Sequence, residues 1–189
     1  MKKTLLSTAL VAVVAAVAMP SAFAATGKIT INGVLRAGTC TVTPSSGASG
    51  SAADMVVTLP GTPAGALSAA DSYAETTPFK VLVGGGASDT CNDQVTHLNF
   101  ENTSGSLINA DGYLDNSATG TATKVGVRLL NGDTHATINL ANPSDANNPV
   151  ATPVSGTPGV LNYQAQYYSK TGGATAGTVN TYVMYTVSY

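Results

Sequence analysis

The sequence has few charged residues, no tryptophan, two histidines and two cysteines. Charged side chains make up 10% of the 189 residues, and the formal net charge is −2. A nucleic-acid partner is not expected, because phosphate neutralisation requires a basic patch that this composition does not supply. Ser, Thr, Asn, Ala and Gly take the place of the charges, which favours an extracellular protein that stands close to copies of itself.

The sequence also lacks an apolar run of membrane-spanning length. The run from Leu5 to Ala18 follows two lysines and is shorter than the about 20 residues that a bilayer's hydrocarbon core requires. Ala22 and Ala24 then stand at the −3 and −1 sites of a signal-peptidase cut. We therefore predict that residues 1–24 are a signal peptide, with a buried N-terminal helix as the alternative, and that one domain follows.

The two cysteines, Cys40 and Cys91, predict one disulfide in an exported protein. A redox pair and a metal site are the alternatives. A redox pair usually has close spacing, and neither His97 nor His135 completes a set of metal ligands. The sequence therefore favours a structural disulfide and predicts no metal ion or other cofactor.

Residues with the pattern of a catalytic site are missing. No serine lies in a Gly-x-Ser-x-Gly elbow, His97 alternates within a predicted strand, and His135 follows a predicted turn. Asp111 and Asp115 resemble a carboxylate pair or a calcium loop, but turn chemistry explains them adequately. We predict that the protein is not an enzyme.

Apolar and polar residues alternate with a period of two along most of the sequence, and no helical period is sustained. Segments rich in Val, Ile, Thr and Tyr, separated by turn residues, predict strands. These segments are 55–59, 79–83, 95–100, 124–130, 136–140, 161–168 and 179–189. Their number and spacing predict an all-β, antiparallel sandwich of immunoglobulin type. Residues 45–70, rich in small residues and proline, are expected to form a long surface connection with one short strand.

Both ends of the predicted mature chain alternate without a polar tail. Ile29, Ile31 and Leu35 share one face near the N-terminus, and 179–189 alternates to the last residue. Chain termini fray unless something holds them, so an apolar face at such a place needs a partner. Burying the three side chains would contribute about 1.5–3 kcal/mol each, which together approaches a domain's net stability of about 5–15 kcal/mol.

The chain resembles the major subunits of chaperone–usher fimbriae, the type 1 pilin family of Gram-negative bacteria. The N-terminal segment ITINGVLRAGTC and the later PFKVLVGGGASDTC each end in a cysteine, as in the family. A turn of small residues precedes VGVRLL in the central segment 112–140. The segment 163–189 is similar to the family's C-terminal signature, with a glycine twelve residues before a terminal aromatic residue.

The resemblance implies an incomplete immunoglobulin-like sandwich that lacks its final strand and is completed by donor-strand exchange. Three segments follow from it: the signal peptide 1–24, an N-terminal donor-strand extension at 25–38, and a pilin domain at 39–189. The implied donor residues are Ile29, Ile31, Gly33, Leu35 and Ala37. The implied acceptor groove, also recognised by a chaperone, consists of Gly177, Val179, Val183, Tyr185, Val187 and Tyr189. At Gly33, the resemblance implies a shallow groove site that a larger side chain would block, with a β-bulge as the alternative.

The partners implied are other copies of the chain, a periplasmic chaperone, an outer-membrane usher, and tip adhesin and adaptor subunits. Export would pass through the periplasm to a fimbrium on the cell surface. The expected function is that of a structural subunit that supports cell adhesion; the alternative is a minor adaptor or tip subunit that binds a glycan receptor. The extension favours the shaft subunit, because a two-domain tip adhesin lacks it.

Overall fold

The computed structural model describes residues 39–189, and the predicted signal peptide and donor-strand extension lie outside them. Within these residues the chain forms nine strands and one short 3₁₀ helix. The elements are β1 (Val42–Ser45), β2 (Ala48–Ser51), β3 (Asp54–Val57), the 3₁₀ helix (Ala64–Leu67), β4 (Ser72–Val83), β5 (His97–Phe100), β6 (Leu114–Asp115), β7 (Gly126–Asn131), β8 (Gly159–Ser169) and β9 (Tyr185–Ser188). No helix of this part of the chain is long and apolar enough to cross a membrane.

A five-stranded antiparallel sheet in the order β1-β4-β8-β7-β6 forms the larger layer. Its centre is the long pair β4 and β8, in which Ser72 lies opposite Ser169 and Val83 opposite Gly159. Strands β2 and β3 form a separate hairpin, and β5 pairs with β9. The all-β architecture predicted from the period-two pattern is confirmed.

The core lies between the five-stranded sheet and the β5–β9 pair, and it centres on Tyr163 of β8. Phe79 of β4 stacks on this ring with centroids 5.3 Å apart, and Phe100 of β5 meets it edge-on at 6.0 Å. The buried Tyr163 hydroxyl donates a hydrogen bond to Asn148 Oδ1 at 3.2 Å, and the Asn148 amide donates to the Leu98 carbonyl at 2.7 Å. One aromatic cluster therefore joins the two layers.

The predicted segments 136–140 and 45–70 differ in the structure. Residues 136–140 form no strand, although Ile138 and Leu140 are buried. The Asn131 side chain accepts hydrogen bonds from the backbone of the next turn, and only a single bridge from Leu130 to Thr137 follows. Residues 45–70, predicted as a connection with one strand, contain the β2–β3 hairpin and the 3₁₀ helix.

The predicted disulfide between Cys40 and Cys91 is present, with a Cα–Cα distance of 5.5 Å. Cys91 is fully buried in the loop between β4 and β5. Beside it, the Thr90 N–H donates a hydrogen bond to the Thr39 carbonyl at 2.8 Å. The covalent bond and the backbone bond together fix the beginning of the described chain to the sandwich.

Replacing both cysteines by alanine is expected to lower the free energy of unfolding by about 4 kcal/mol. The disulfide spans 51 positions, and opening it returns chain entropy to the unfolded state. Urea unfolding followed by tyrosine fluorescence measures the change, since the sequence has no tryptophan. The unmodified chain under reducing conditions should unfold at the same urea concentration as the double variant. Equal midpoints for the oxidised chain and the variant would contradict this prediction.

Candidate functional site

The C-terminal segment 177–189 presents two different faces. Val179, Val183, Tyr185 and Val187 are half-buried and pack against the core. The intervening positions are exposed, with Tyr182 54% and Met184 60% exposed. Only Tyr185–Ser188 forms a regular strand, so the strand predicted over 179–189 is shorter than expected. The alternation in the sequence nevertheless corresponds to a core-facing side and a solvent-facing side.

The backbone of this segment is hydrogen-bonded along one edge. Glu101 N–H donates to the Met184 carbonyl at 2.9 Å, and Ser117 N–H donates to the Asn180 carbonyl at 2.7 Å. In an antiparallel ladder every second residue of a strand makes the hydrogen bonds to one neighbour, so in this segment the backbone groups of the even-numbered residues point to the bonded edge. The backbone groups of Val183, Tyr185 and Val187 point to the opposite edge. Within residues 39–189, β9 pairs with β5 alone, so no strand occupies that edge.

Gly177 and Tyr189 lie at the two ends of the segment and contribute differently. A Cβ atom on Gly177 would lie 2.4 Å from the Ala122 nitrogen, so glycine lets the segment approach the residues before β7 closely. Tyr189 is 46% exposed, and its hydroxyl lies 2.9 Å from Thr90 Oγ1, next to the disulfide. Of the residues named for the acceptor groove, these two are the ones that do not pack against the core.

Strand β3 and the residues after it form a second alternating segment. Met55, Val57 and Leu59 are half-buried and pack against the core, whereas Val56 is 48% exposed. Strand β3 pairs with β2 along one edge, and within the described chain no strand pairs with the other edge. The sequence analysis did not connect these residues with a binding site. The sequence feature that could have identified them is the period-two pattern of 55–59. This pattern indicates a strand, but it does not indicate which strand lies beside it.

We refer to these two segments together as the C-terminal groove. Its floor is defined by side chains that all pack against the same core cluster: Met55, Val57 and Leu59 of the first segment and Val179, Val183, Tyr185 and Val187 of the second. Its side chains are apolar except for the Tyr185 hydroxyl, which donates a hydrogen bond of 2.6 Å to the Ala52 carbonyl in the β2–β3 turn. Burial raises the pKa of Tyr185 above its ordinary value, so this hydroxyl stays protonated and able to donate. The groove therefore combines an apolar floor with unpaired strand edges, which is what an added β-strand requires.

A cavity of about 580 Å³ elsewhere, beside β6 and β7, is a weaker candidate for a binding site. Asp111, Tyr113, Tyr168 and Lys170 are among its lining residues. The Lys170 amino group pairs with the Asp111 carboxylate, and the Tyr168 hydroxyl donates to Asp71 at 2.6 Å. The bond to Asp71 raises the pKa of Tyr168 to about 12. These polar groups bond to the protein itself, so few of them are available to a ligand.

The remaining residues considered from the sequence form no catalytic or metal arrangement within residues 39–189. The His135 ring lies 3.1 Å from the Gln164 side chain, and Asp115 accepts a hydrogen bond of 2.8 Å from Asn109. No group of three or more His, Cys, Asp or Glu in this part of the chain could hold a metal ion. The residues predicted to form the donor strand, Ile29, Ile31, Gly33, Leu35 and Ala37, lie outside the described residues.

Comparison with known proteins connects this architecture to one family. A family model described as fimbrial protein matches residues 14–189. The F17 fimbrial protein of Escherichia coli is 32% identical over 183 residues, covering 94% of each chain. The major fimbrial subunit SMF-1 of Stenotrophomonas maltophilia (strain K279a) is 32% identical over 172 residues, covering 89% of this chain and 95% of the relative.

A solved structure supports the fold independently. The Burkholderia pseudomallei antigen and type I fimbria protein superposes with a TM-score of 0.51 at 18% identity, covering 80% of this chain and 100% of that one. At this identity the likeness concerns the fold alone, and it agrees with the immunoglobulin-like pilin sandwich predicted from the sequence. The resemblance to chaperone–usher fimbrial subunits is therefore confirmed, and the chain belongs to the fimbrial protein family.

Proposed function

We propose that this protein is the repeating shaft subunit of a surface fimbrium and that it polymerises by donor-strand exchange. Residues 25–38 of one copy add a strand to the C-terminal groove of the next copy. The observation that carries the proposal is the groove, in which two alternating apolar segments lie on the core with unpaired edges. The extension has the same period, so its apolar face fits the floor while its backbone pairs with the free edge of β9.

The same groove gives a reason for a chaperone and an usher. An unpaired apolar strand edge promotes aggregation, so a free subunit in the periplasm requires a temporary strand from another protein. A periplasmic chaperone fills this role, and an outer-membrane usher is the place where the extension of the next subunit replaces it. The proposal includes export of the subunit through the periplasm to the cell surface. It assigns no enzymatic activity to the subunit.

Two features favour a shaft subunit over an adaptor or a glycan-binding tip subunit. The relatives cover nearly the whole chain, and one of them is a major fimbrial subunit. In the cavity beside β6 and β7, Lys170 pairs with Asp111 and the Tyr168 hydroxyl bonds to Asp71, so that cavity gives no reason to assign a receptor site. Fibres built from this subunit would support adhesion together with tip adhesin and adaptor subunits.

Electron microscopy of cells with and without the gene tests the proposal. We expect cells that lack it to lose their fibres of this type, and a plasmid copy to restore them. Gold-labelled antibodies against residues 39–189 should mark the restored fibres along their whole length. Fibres that persist without the gene, or a label confined to the tip, would assign the chain to a minor subunit.

A further inference from the structure

We propose that the outer face of the five-stranded sheet has a binding site for a carboxylated sugar, such as a sialic acid at the end of a glycan. We call it the Arg128 site and define it by Tyr73, Thr76, Arg128, Gln166 and Tyr168. Arg128 alternates with Val127 and Leu129, which belong to the core, so it lies on the face turned away from the core. None of these residues belongs to the C-terminal groove, and only Tyr168 also lines the cavity beside β6 and β7. The inference goes beyond the proposed function, because polymerisation requires no receptor site.

The Arg128 guanidinium lies between two aromatic rings. Its Cζ is 4.7 Å from the centroid of the Tyr73 ring and 4.8 Å from that of the Tyr168 ring. Its Nε donates a hydrogen bond to the Gln166 side chain. Within residues 39–189 no carboxylate pairs with Arg128, and its two Nη groups donate no hydrogen bond. A guanidinium stacked in this way is fixed in orientation, and its planar fork of N–H groups matches the two oxygens of a carboxylate.

A buried amide holds Arg128 in this position. Gln166 is 2% exposed, and its Nε2 donates a hydrogen bond of 2.7 Å to Thr76 Oγ1 while its Oε1 accepts from Arg128. Thr76 follows Glu75, which has a φ of 53° in the β-bulge of β4. Bulges of this kind re-aim side chains and occur next to functional sites. A strained bulge and a buried amide therefore position one guanidinium, which a solvated surface arginine does not require.

The exposed ring of Tyr73 indicates what else the ligand contains. This ring is 59% exposed beside the cation, so it offers apolar area to a ligand that also has an anionic group. A sugar acid has both parts, since the C–H groups of its ring form an apolar face next to the carboxylate. The Thr76 hydroxyl accepts from Gln166 and retains its own proton, which it can donate to a sugar hydroxyl. Arg128 would bind the carboxylate, and Tyr73 would contact the sugar ring.

The surroundings of the Arg128 site favour a small ligand over a protein partner. A stable protein interface buries about 800 Å² on each side around an apolar centre. The neighbouring outer-face residues of β8 are polar and bond within the subunit. The Gln164 side chain lies 3.1 Å from the His135 ring, and the Asn162 amide donates to Asp133 at 2.9 Å. This face therefore offers one cation and one exposed ring, which suits a single sugar unit.

Binding of 3′-sialyllactose to the full-length protein, purified in the assembly state that cells export, tests the inference. Lactose is the matched probe without a carboxylate, and ligand-observed NMR titration measures both. We expect a dissociation constant of about 1 mM for sialyllactose and binding of lactose that is weaker by about tenfold or more, because a hydrogen bond to a charged group is lost. Arg128→Gln should weaken sialyllactose binding by about tenfold or more, and Tyr73→Ala by about threefold.

Lys170→Gln is the control, because it removes the same charge from the neighbouring cavity, where Lys170 already pairs with Asp111. It should leave the dissociation constant within about twofold of the wild-type value. Urea unfolding midpoints establish that each variant is folded, and Tyr73→Ala, at an exposed ring, keeps the test decisive if Arg128→Gln does not fold.

The inference is wrong if neither probe binds, if both bind equally, or if Lys170→Gln weakens binding as much as Arg128→Gln does. It is also wrong if sialyllactose does not bind and Arg128→Gln instead reduces the multimers on gels, since Arg128 would then contact another copy. Fibres that assemble normally without binding sialyllactose would overturn this inference and leave the proposed function standing.

Discussion

Deleting residues 25–37 is expected to abolish fibres and to leave a monomer bound to its chaperone. The deletion removes Ile29, Ile31 and Leu35, whose burial in the groove of another copy would contribute at most about 1.5–3 kcal/mol each. Their sum is on the scale of the net stability of a whole domain, so no remaining contact compensates for the loss. The groove and the disulfide are retained, and for this reason the subunit should still fold with its chaperone. Gel electrophoresis without boiling measures the multimers, and co-purification measures the chaperone complex.

Single substitutions in the extension make this prediction sharper. Ile31→Asp introduces a charge on the apolar face and should block assembly almost as completely as the deletion. Asn32→Asp introduces the same group one position away, on the other face, and should leave the multimers close to the wild-type level. Normal fibres from the deletion variant, or equal effects of the two aspartates, would refute the assignment of these residues as the donor strand.

The parts of the site that were predictable from sequence are those encoded by local pattern. The alternation of Val183, Tyr185 and Val187 indicates a strand with one apolar face, and the structure places that face on the core. The disulfide was predictable because an exported chain with two cysteines has one way to pair them. The first inference needs only the pattern of neighbouring residues, and the second needs only the number of cysteines.

The Met55–Leu59 part of the groove and the bond from Tyr185 to Ala52 were not predictable in this way. Met55 and Val57 belong to a strand that borders the groove only after the hairpin folds onto the sandwich. The bond from Tyr185 to Ala52 joins residues 133 positions apart, and a turn carbonyl has no signature in the sequence as an acceptor. The prediction of a strand at 136–140 was wrong for a related reason. Its last two N–H groups do not bond to β7: the Asn139 N–H donates to the Asp145 carboxylate and the Leu140 N–H donates to the Gly112 carbonyl.

A charge on the floor of the groove is expected to be as damaging as loss of the donor strand. In Val183→Asp the new carboxylate would be covered by the incoming strand without a cationic partner. The cost of an uncompensated buried charge is about 3–5 kcal/mol, which corresponds to more than about a hundredfold in an assembly equilibrium. A chaperone strand in the same groove would meet the same charge, so the variant should be captured poorly as well.

Met184→Asp is the matched control, because Met184 is the next residue along the chain and its side chain is 60% exposed. The two variants add the same charge at adjacent residues. They differ only in the face of the segment on which the carboxylate lies. Val183→Asp should therefore be depleted from the periplasm by proteolysis, whereas Met184→Asp should accumulate and form multimers. Quantitative blotting of periplasmic extracts measures the difference. Equal abundance and equal assembly of the two would mean that no strand, from a chaperone or from another subunit, covers this face of the C-terminal segment.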